Sequence, residues 1–325
     1  MDYDVLMQII DGRALAKKIK DGIVKEILDE AFFCPPASAC ACGHDHGHNH
    51  AHDLAGEEKT RQARIIMECR RPNLAIILAG EREDSRLYVG LKEREAKKVG
   101  IDTHLYKLDT DVSEAEFLGV VDYLNNDGLI DAILVQLPLP EHLDADKIIA
   151  AVDPAKDVDG FHPENLKTLA ETGRPAHVMP VVYEVVLEML KSIKYTLKGE
   201  QALVIANSGI FGQGLVQELK RRGAKAGMVF ADNPGLAEKT RTADLLVTAA
   251  GRPKLINGRM IKKGAVLIDV GISKADNQIV GDIDPDDISD TASFLTPVPG
   301  GVGPMTIAVA LRNVLKLHKE RCKNK

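Results

Sequence analysis

Apolar residues recur at helical spacing through Ile9, Leu15, Ile19, Ile23 and Ile27, which predicts a helix over residues 9–30. The pattern then stops. From about Cys34 to Ala55 the chain is rich in Ala, Cys, His and Gly, and Pro35-Pro36 breaks any helix. With no core-forming periodicity, residues of about 33–60 read as an insertion. Patterning resumes at Leu74-Ala-Ile-Ile-Leu-Ala79, an unbroken apolar run between Pro72 and Gly80 that predicts a buried strand. A helix over Ser85–Val99 follows, closed by Gly100. Next come a strand over 103–108, a helix over 113–125 and a strand over 130–136. Alternation with short connections implies βαβ units and a parallel sheet.

A second alternating series begins with a helix over 182–193. It continues as strand 201–206, a Gly-rich turn, helix 212–222, strand 226–230, a short helix near 235–241, and strands 244–248 and 265–270. This is dinucleotide-fold patterning. A last helix starts near Pro304, with proline in its first turn. No repeat of fixed period is visible. The expected fold is α/β in two domains. Residues 1–175 form a catalytic domain on which helix 304–325 packs back, and residues 176–303 form a Rossmann-like domain.

Composition narrows the function. The 325 residues are 45% apolar and 28% charged, the balance of a soluble globular protein with room for two domains. Net charge is −6 with no long basic run, which argues against a nucleic-acid surface. No apolar stretch reaches the roughly 18–20 residues that span a bilayer. The first residues carry Asp2, Asp4 and Asp11 rather than a basic segment before an apolar core, so a cytoplasmic protein is expected. Five cysteines, an odd number, argue against a disulfide framework in such a compartment.

Several residues could carry chemistry. Tyr88 and Lys92 lie four apart on the helix over 85–99 and so share a face. Alone, they read first as a surface pair, since Lys92 lies among Glu93, Arg94, Glu95, Lys97 and Lys98. Gln136 closes a buried strand in Val135-Gln-Leu-Pro-Leu-Pro140, at the end where open α/β sheets bind ligands; a structural amide is the alternative. The loop from Asp153 to Pro163 concentrates acids, a glycine and two prolines. Thr296-Pro-Val-Pro-Gly-Gly-Val-Gly-Pro-Met-Thr306 opens the last helix with glycines that permit close approach of a flat ligand.

Taken in order, these segments resemble the bifunctional methylenetetrahydrofolate dehydrogenase/cyclohydrolase family. The resemblance rests on Tyr88-Val-Gly-Leu-Lys92 with Val99-Gly-Ile101, on Val135–Pro140 and on Lys156-Asp-Val-Asp-Gly160. It extends through Lys262-Lys-Gly-Ala-Val-Leu-Ile-Asp-Val-Gly-Ile272 and Pro297–Thr306. It implies oxidation of methylene-tetrahydrofolate with NAD or NADP, then hydrolysis of the methenyl cation to formyl-tetrahydrofolate. It implies that Lys92 shuttles protons, that Gln136 holds Lys92, that Tyr88 meets the folate, and that Asp159 accepts hydrogen bonds from the pterin edge. Pro299, Gly300 and Gly303 would line the folate cleft. A homodimer is the family habit.

The cofactor half departs from the family. Ala206-Asn-Ser-Gly-Ile-Phe-Gly212 keeps Ser208 and Gly212, but Ala206 replaces a glycine and Asn207 the usual arginine. Ala250, Gly251, Gly271 and Ile272 complete the expected cofactor contacts. Asp232 stands about twenty residues after Gly212, where an acid binds the ribose 2′-hydroxyl of NAD, so NAD preference is expected; a solvated turn acid is the alternative. Val181-Val-Tyr183 replaces the family's usual Cys-Thr-Pro, which leaves open a cyclohydrolase with a degenerate dinucleotide domain. In the insertion, His44, His46, His48, His50 and His52 alternate after Cys40 and Cys42, a set that suits zinc or nickel without matching a zinc-finger spacing. A disordered insertion, or a metal-binding protein on a former enzyme scaffold, are the other readings.

Overall fold

A computed structural model describes residues 7–33, 71–275 and 278–323. They divide into two compact units. One takes in the residues up to Lys18 together with Asp159–Ala310; the other takes in Ile19–Val158 and the residues from Leu311. The chain therefore divides at Val158/Asp159, ahead of the boundary expected near residue 175, because the helix over Pro163–Thr172 packs with the later helix over Gly209–Arg221: Arg221 donates to the Ala170 carbonyl at 2.5 Å.

In the Ile19–Val158 unit, strands β2 (Asn73–Ala79), β3 (Asp102–Leu108) and β4 (Ala132–Val135) form a parallel sheet in the order β3-β2-β4. β2 is buried at all but its first residue, as an unbroken apolar run on a covered parallel sheet should be. Helix α2 (Glu83–Val99) follows β2 and ends at Gly100, whose φ of 86° and N–H bonds to the Ala96 and Lys97 carbonyls are those of a left-handed cap. Helix α3 (Glu114–Asn126) begins at a reciprocal capping box between Ser113 and Glu116. Ala75, Ile77, Phe117, Val121, Leu124 and Ile133 pack into one core between the sheet and the helices. A short helix, α4 (Ala145–Ala151), capped by Asp144, is too brief to show a period in the sequence.

Lys156 is an element the pattern conceals. It is 3% exposed, and its Nζ donates to the carbonyls of Leu124, Asn125 and Asp127 at 2.8, 2.7 and 2.8 Å. These are the free acceptors at the C-terminus of α3, where a cation is favoured. Burial lowers its pKa to about 8. The same segment runs beside β4, with Ile133 N–H donating to the Lys156 carbonyl and Val158 N–H to the Ile133 carbonyl.

In the other unit, β1 (Gln8–Ile9), β5 (Gln201–Ala206), β6 (Lys225–Val229), β7 (Leu245–Ala249), β8 (Val266–Asp269) and β11 (Phe294–Leu295) form a parallel sheet ordered β1-β11-β8-β7-β5-β6. β1 corrects the expected helix over 9–30. Asp11 accepts from the Ala14 N–H and starts helix α1 (Gly12–Phe33), so the residues before it run extended along β11. A small antiparallel hairpin, β9 (Ser273–Ala275) with β10 (Gln278–Val280), stands apart from this sheet. The helices are α5 (Pro163–Thr172), α6 (Val181–Ser192), α7 (Gly209–Arg221), α8 (Leu236–Thr240) and α9 (Pro285–Ile288). Helix α10 (Val302–Lys323) opens two residues earlier than its proline suggests and passes from this unit into the first one described. Among the described residues no helix is long and apolar enough to cross a membrane.

From β5 the chain moves outward to β6, then returns across β5 to β7 and β8. The direction of winding reverses between β5 and β7, and a crevice at the carboxyl ends of those strands is where doubly wound sheets bind ligands.

Candidate active site

Lys92 and Gln136 come together. Lys92 Nζ donates to Gln136 Oε1 at 2.9 Å. Gln136 continues the β4 ladder by donating its backbone N–H to the Ile77 carbonyl at 2.9 Å, and its side chain is 8% exposed. Its Nε2 donates to the Leu137 carbonyl at 2.6 Å, which turns the amide so that its oxygen faces the amine. Sheet and helix thus hold an ammonium-bearing side chain on a buried acceptor at the carboxyl end of a parallel strand. Tyr88 stands one turn before Lys92 on α2, half-buried, and its phenol pKa is raised by burial and by the negative charge of Asp84. Two turns before Lys92 on the same face lies Ser85, 3% exposed, whose hydroxyl has no partner among the described residues. Its spacing of seven from Lys92 is the sequence signal that puts it on this face.

Asp159, Pro299, Gly300 and Gly303 belong to the unit with the six-stranded sheet. Asp159 is half-buried, and its carbonyl accepts from the Val181 N–H at 3.1 Å at the start of α6. Gly160 has φ of 75° and no room for a side chain, since a Cβ would lie 2.7 Å from the Pro180 nitrogen. Pro299 follows a cis peptide bond and Gly300 adopts φ of 115°. Gly303 falls inside the first turn of α10, next to Ile272.

The winding reversal is bridged by one side chain: Asn207, just past β5, donates from Nδ2 to the Ala250 carbonyl just past β7. Ser208 caps α7 by accepting from the Phe211 N–H at 3.3 Å. Gly212 lets α7 close on β6, because a Cβ there would run into the Met228 side chain. A Cβ on Gly209 or Gly251 would meet nothing within 4 Å, so the space above both is open. An uncovered backbone at the N-terminus of a thirteen-residue helix, with no acid in its first turn, fits the pyrophosphate of a dinucleotide. Asp232 is exposed just beyond β6. Sequence reasoning missed Arg252, whose Nη1 donates to the Ala231 carbonyl at 3.3 Å and so lies beside Asp232. It also missed two buried acids, Asp269 and Asp282. Burial pushes the Asp269 carboxyl up to about 7, against the N–H groups that donate to it.

Cys40, Cys42, His44, His46, His48, His50 and His52 lie outside the described residues. Among the described residues no group of three or more His, Cys, Asp or Glu side chains could hold a metal ion.

Comparison with known proteins decides the family. Profiles described as tetrahydrofolate dehydrogenase/cyclohydrolase match the chain twice, the catalytic domain over residues 46–159 and the NAD(P)-binding domain over residues 180–322. The chain belongs to the tetrahydrofolate dehydrogenase/cyclohydrolase family. Bifunctional protein FolD of Nitratiruptor sp. is 38% identical over 318 residues, covering 97% of this chain and 99% of its own length. The FolD crystal structure from Campylobacter jejuni matches with a TM-score of 0.82 and 33% identity over 97% of this chain and 99% of that one. The Trypanosoma brucei enzyme, solved with NADP and an inhibitor, matches at 0.81 and 30% identity over 97% and 98%. The two-domain α/β fold of the family is therefore the fold of this chain, and its later half is a nicotinamide-dinucleotide-binding domain.

Proposed function

We propose that this member of the family oxidises methylene-tetrahydrofolate to the methenyl cation and hydrolyses that cation to formyl-tetrahydrofolate. The observation that carries the reading is the Lys92–Gln136 pair at the end of β4. Attack of water on the methenyl carbon needs a base for the water proton and, later, an acid for the ring nitrogen whose C–N bond breaks. One amine can do both in turn. Gln136 accepts an N–H from Lys92 in either protonation state, so the nitrogen stays in place as its proton leaves and returns. The cationic substrate would favour neutral Lys92, since like charges in one site disfavour ionisation of the second. Tyr88 would pack on the folate, Asp159 would accept from the pterin edge, and Pro299, Gly300 and Gly303 would line the cleft. A bound dinucleotide supplies a hydride acceptor; Ala206, Asn207, Ser208, Gly212, Ala250, Gly251, Gly271 and Ile272 would hold it. Incubation with methylene-tetrahydrofolate and either dinucleotide, following reduced cofactor and methenyl absorbance, tests this. Methenyl opening without cofactor reduction would leave a cyclohydrolase alone.

For the cofactor we propose NAD. Exposed Asp232 can accept from a ribose 2′-hydroxyl and repels a 2′-phosphate, and Asn207 brings no positive charge. Turnover is expected to favour NAD over NADP by about tenfold or more, the scale of one lost charge-assisted contact. The opposing observation is Arg252 beside Asp232. Preference for NADP that disappears in Arg252→Ala would establish that second reading instead.

A cytoplasmic homodimer completes the proposal, on the composition of the chain and the habit of the family. For the histidine tract we propose binding of zinc or nickel, from five alternating imidazoles near two thiols. Removal of residues 34–55 should lower the metal bound per chain in titration; unchanged stoichiometry would refute it.

A further inference from the structure

The two buried acids are not used at Lys92. Asp269 ends β8 and is 2% exposed; Asp282 precedes α9 and is 0% exposed. Asp269 Oδ1 accepts from Thr248 Oγ1 at 3.1 Å, from the Gly271 N–H at 3.0 Å and from the Asp282 N–H at 3.2 Å. Its Oδ2 accepts from the Ile283 N–H at 2.9 Å. Asp282 passes the connection on, with Oδ2 accepting from the Ala250 N–H at 2.7 Å and Oδ1 from the Arg252 N–H at 2.8 Å. The loop after β7 thus hangs from Asp282, and the loop after β8 hangs from Asp269. A Cβ on Gly271 would run into the Asp282 carboxylate, and one on Gly281 into that of Asp269, so both loops are closed onto the acids. An ionised carboxylate only accepts, and every group aimed at this pair donates; an asparagine in either place would set donor against donor.

We propose that Asp269 and Asp282 are positioning residues for the dinucleotide half of the reaction, a clamp that fixes Ala250-Gly251 and Gly271-Ile272 against the cofactor. The proposal rests on the reading that this face binds NAD or NADP. The amine–amide pair, by contrast, is built on α2 and the end of β4. Loss of the clamp should therefore separate the two activities.

The test uses the full chain and measures binding of NAD and NADP by isothermal titration, beside cofactor reduction and hydrolysis of supplied methenyl-tetrahydrofolate. Asp282→Asn is expected to weaken dinucleotide binding about 10- to 100-fold, the scale of losing hydrogen bonds to a charged acceptor. Hydrolysis should fall less than about threefold. Thr248→Val removes one donor to Asp269 with little change of shape and decides the matter should Asp282→Asn not fold. It is expected to weaken binding about threefold, again with hydrolysis nearly kept. Unchanged dinucleotide affinity in these variants, or equal loss of both activities with a lowered melting temperature, would overturn the clamp. Wild-type protein that binds neither dinucleotide would instead overturn the reading beneath it.

Discussion

Replacing Lys92 by methionine is expected to lower kcat for opening of methenyl-tetrahydrofolate by about 10²- to 10⁴-fold, the usual worth of a positioned acid–base group. Methionine keeps most of the aliphatic stem and its packing on α2 and removes only the nitrogen that donates to Gln136 at 2.9 Å. Dinucleotide binding should be retained, because the change is confined to one side chain of α2. Gln136→Leu should follow in the same direction with a smaller loss. It leaves the amine in place but removes the acceptor that fixes it, and a displacement of about 1 Å already costs on the order of 10²-fold. Stopped hydrolysis in both variants with normal dinucleotide titration is the expected pattern. Full-rate hydrolysis by a folded Lys92→Met protein would remove the acid–base role of that residue.

What the chain discloses in advance follows a physical division. α2 and β2 are legible because their burial is one-dimensional: a run of apolar residues, a glycine at the left-handed cap, a period that holds to the end. Gln136 is legible for a related reason, since a polar residue closing a buried parallel strand marks the end where ligands collect. β1 is concealed because Ile9 and Ile10 fit the helical period of the residues after them, and only the Asp11 cap separates the two conformations. Lys156, Asp269 and Asp282 are concealed for a deeper reason. Apart from the Thr248 hydroxyl on Asp269, their partners are backbone carbonyls and N–H groups, which no sequence pattern marks. Buried charge satisfied by main chain leaves almost no signature, yet it fixes the loops after β7 and β8.

The second large effect lies at the other end of β4. Asp131, just before β4, is 0% exposed. One carboxylate oxygen accepts from the Asn73 N–H at 2.9 Å and lies 3.0 Å from His318 Nδ1; the other lies 3.4 Å from Arg321 Nη1. Arg321 also donates to the carbonyls of Ile130 and Gly128, so the last turns of α10 are tied to the start of β4 across 187 residues of chain. Asp131→Ala would leave the largely buried Arg321 and His318 side chains without their carboxylate. Removing one partner of a buried pair costs about 3–5 kcal/mol, because the survivor keeps its desolvation penalty. At the lower end that is roughly 6–12 °C in Tm for a unit of this size. Lys319→Ala, which breaks the solvent-accessible pair with Glu26, should change stability by less than about 1 kcal/mol. Heat unfolding followed by circular dichroism checks both. Equal, small shifts for the two variants would mean that the Asp131 cluster adds no more to the docking of α10 than a surface ion pair does.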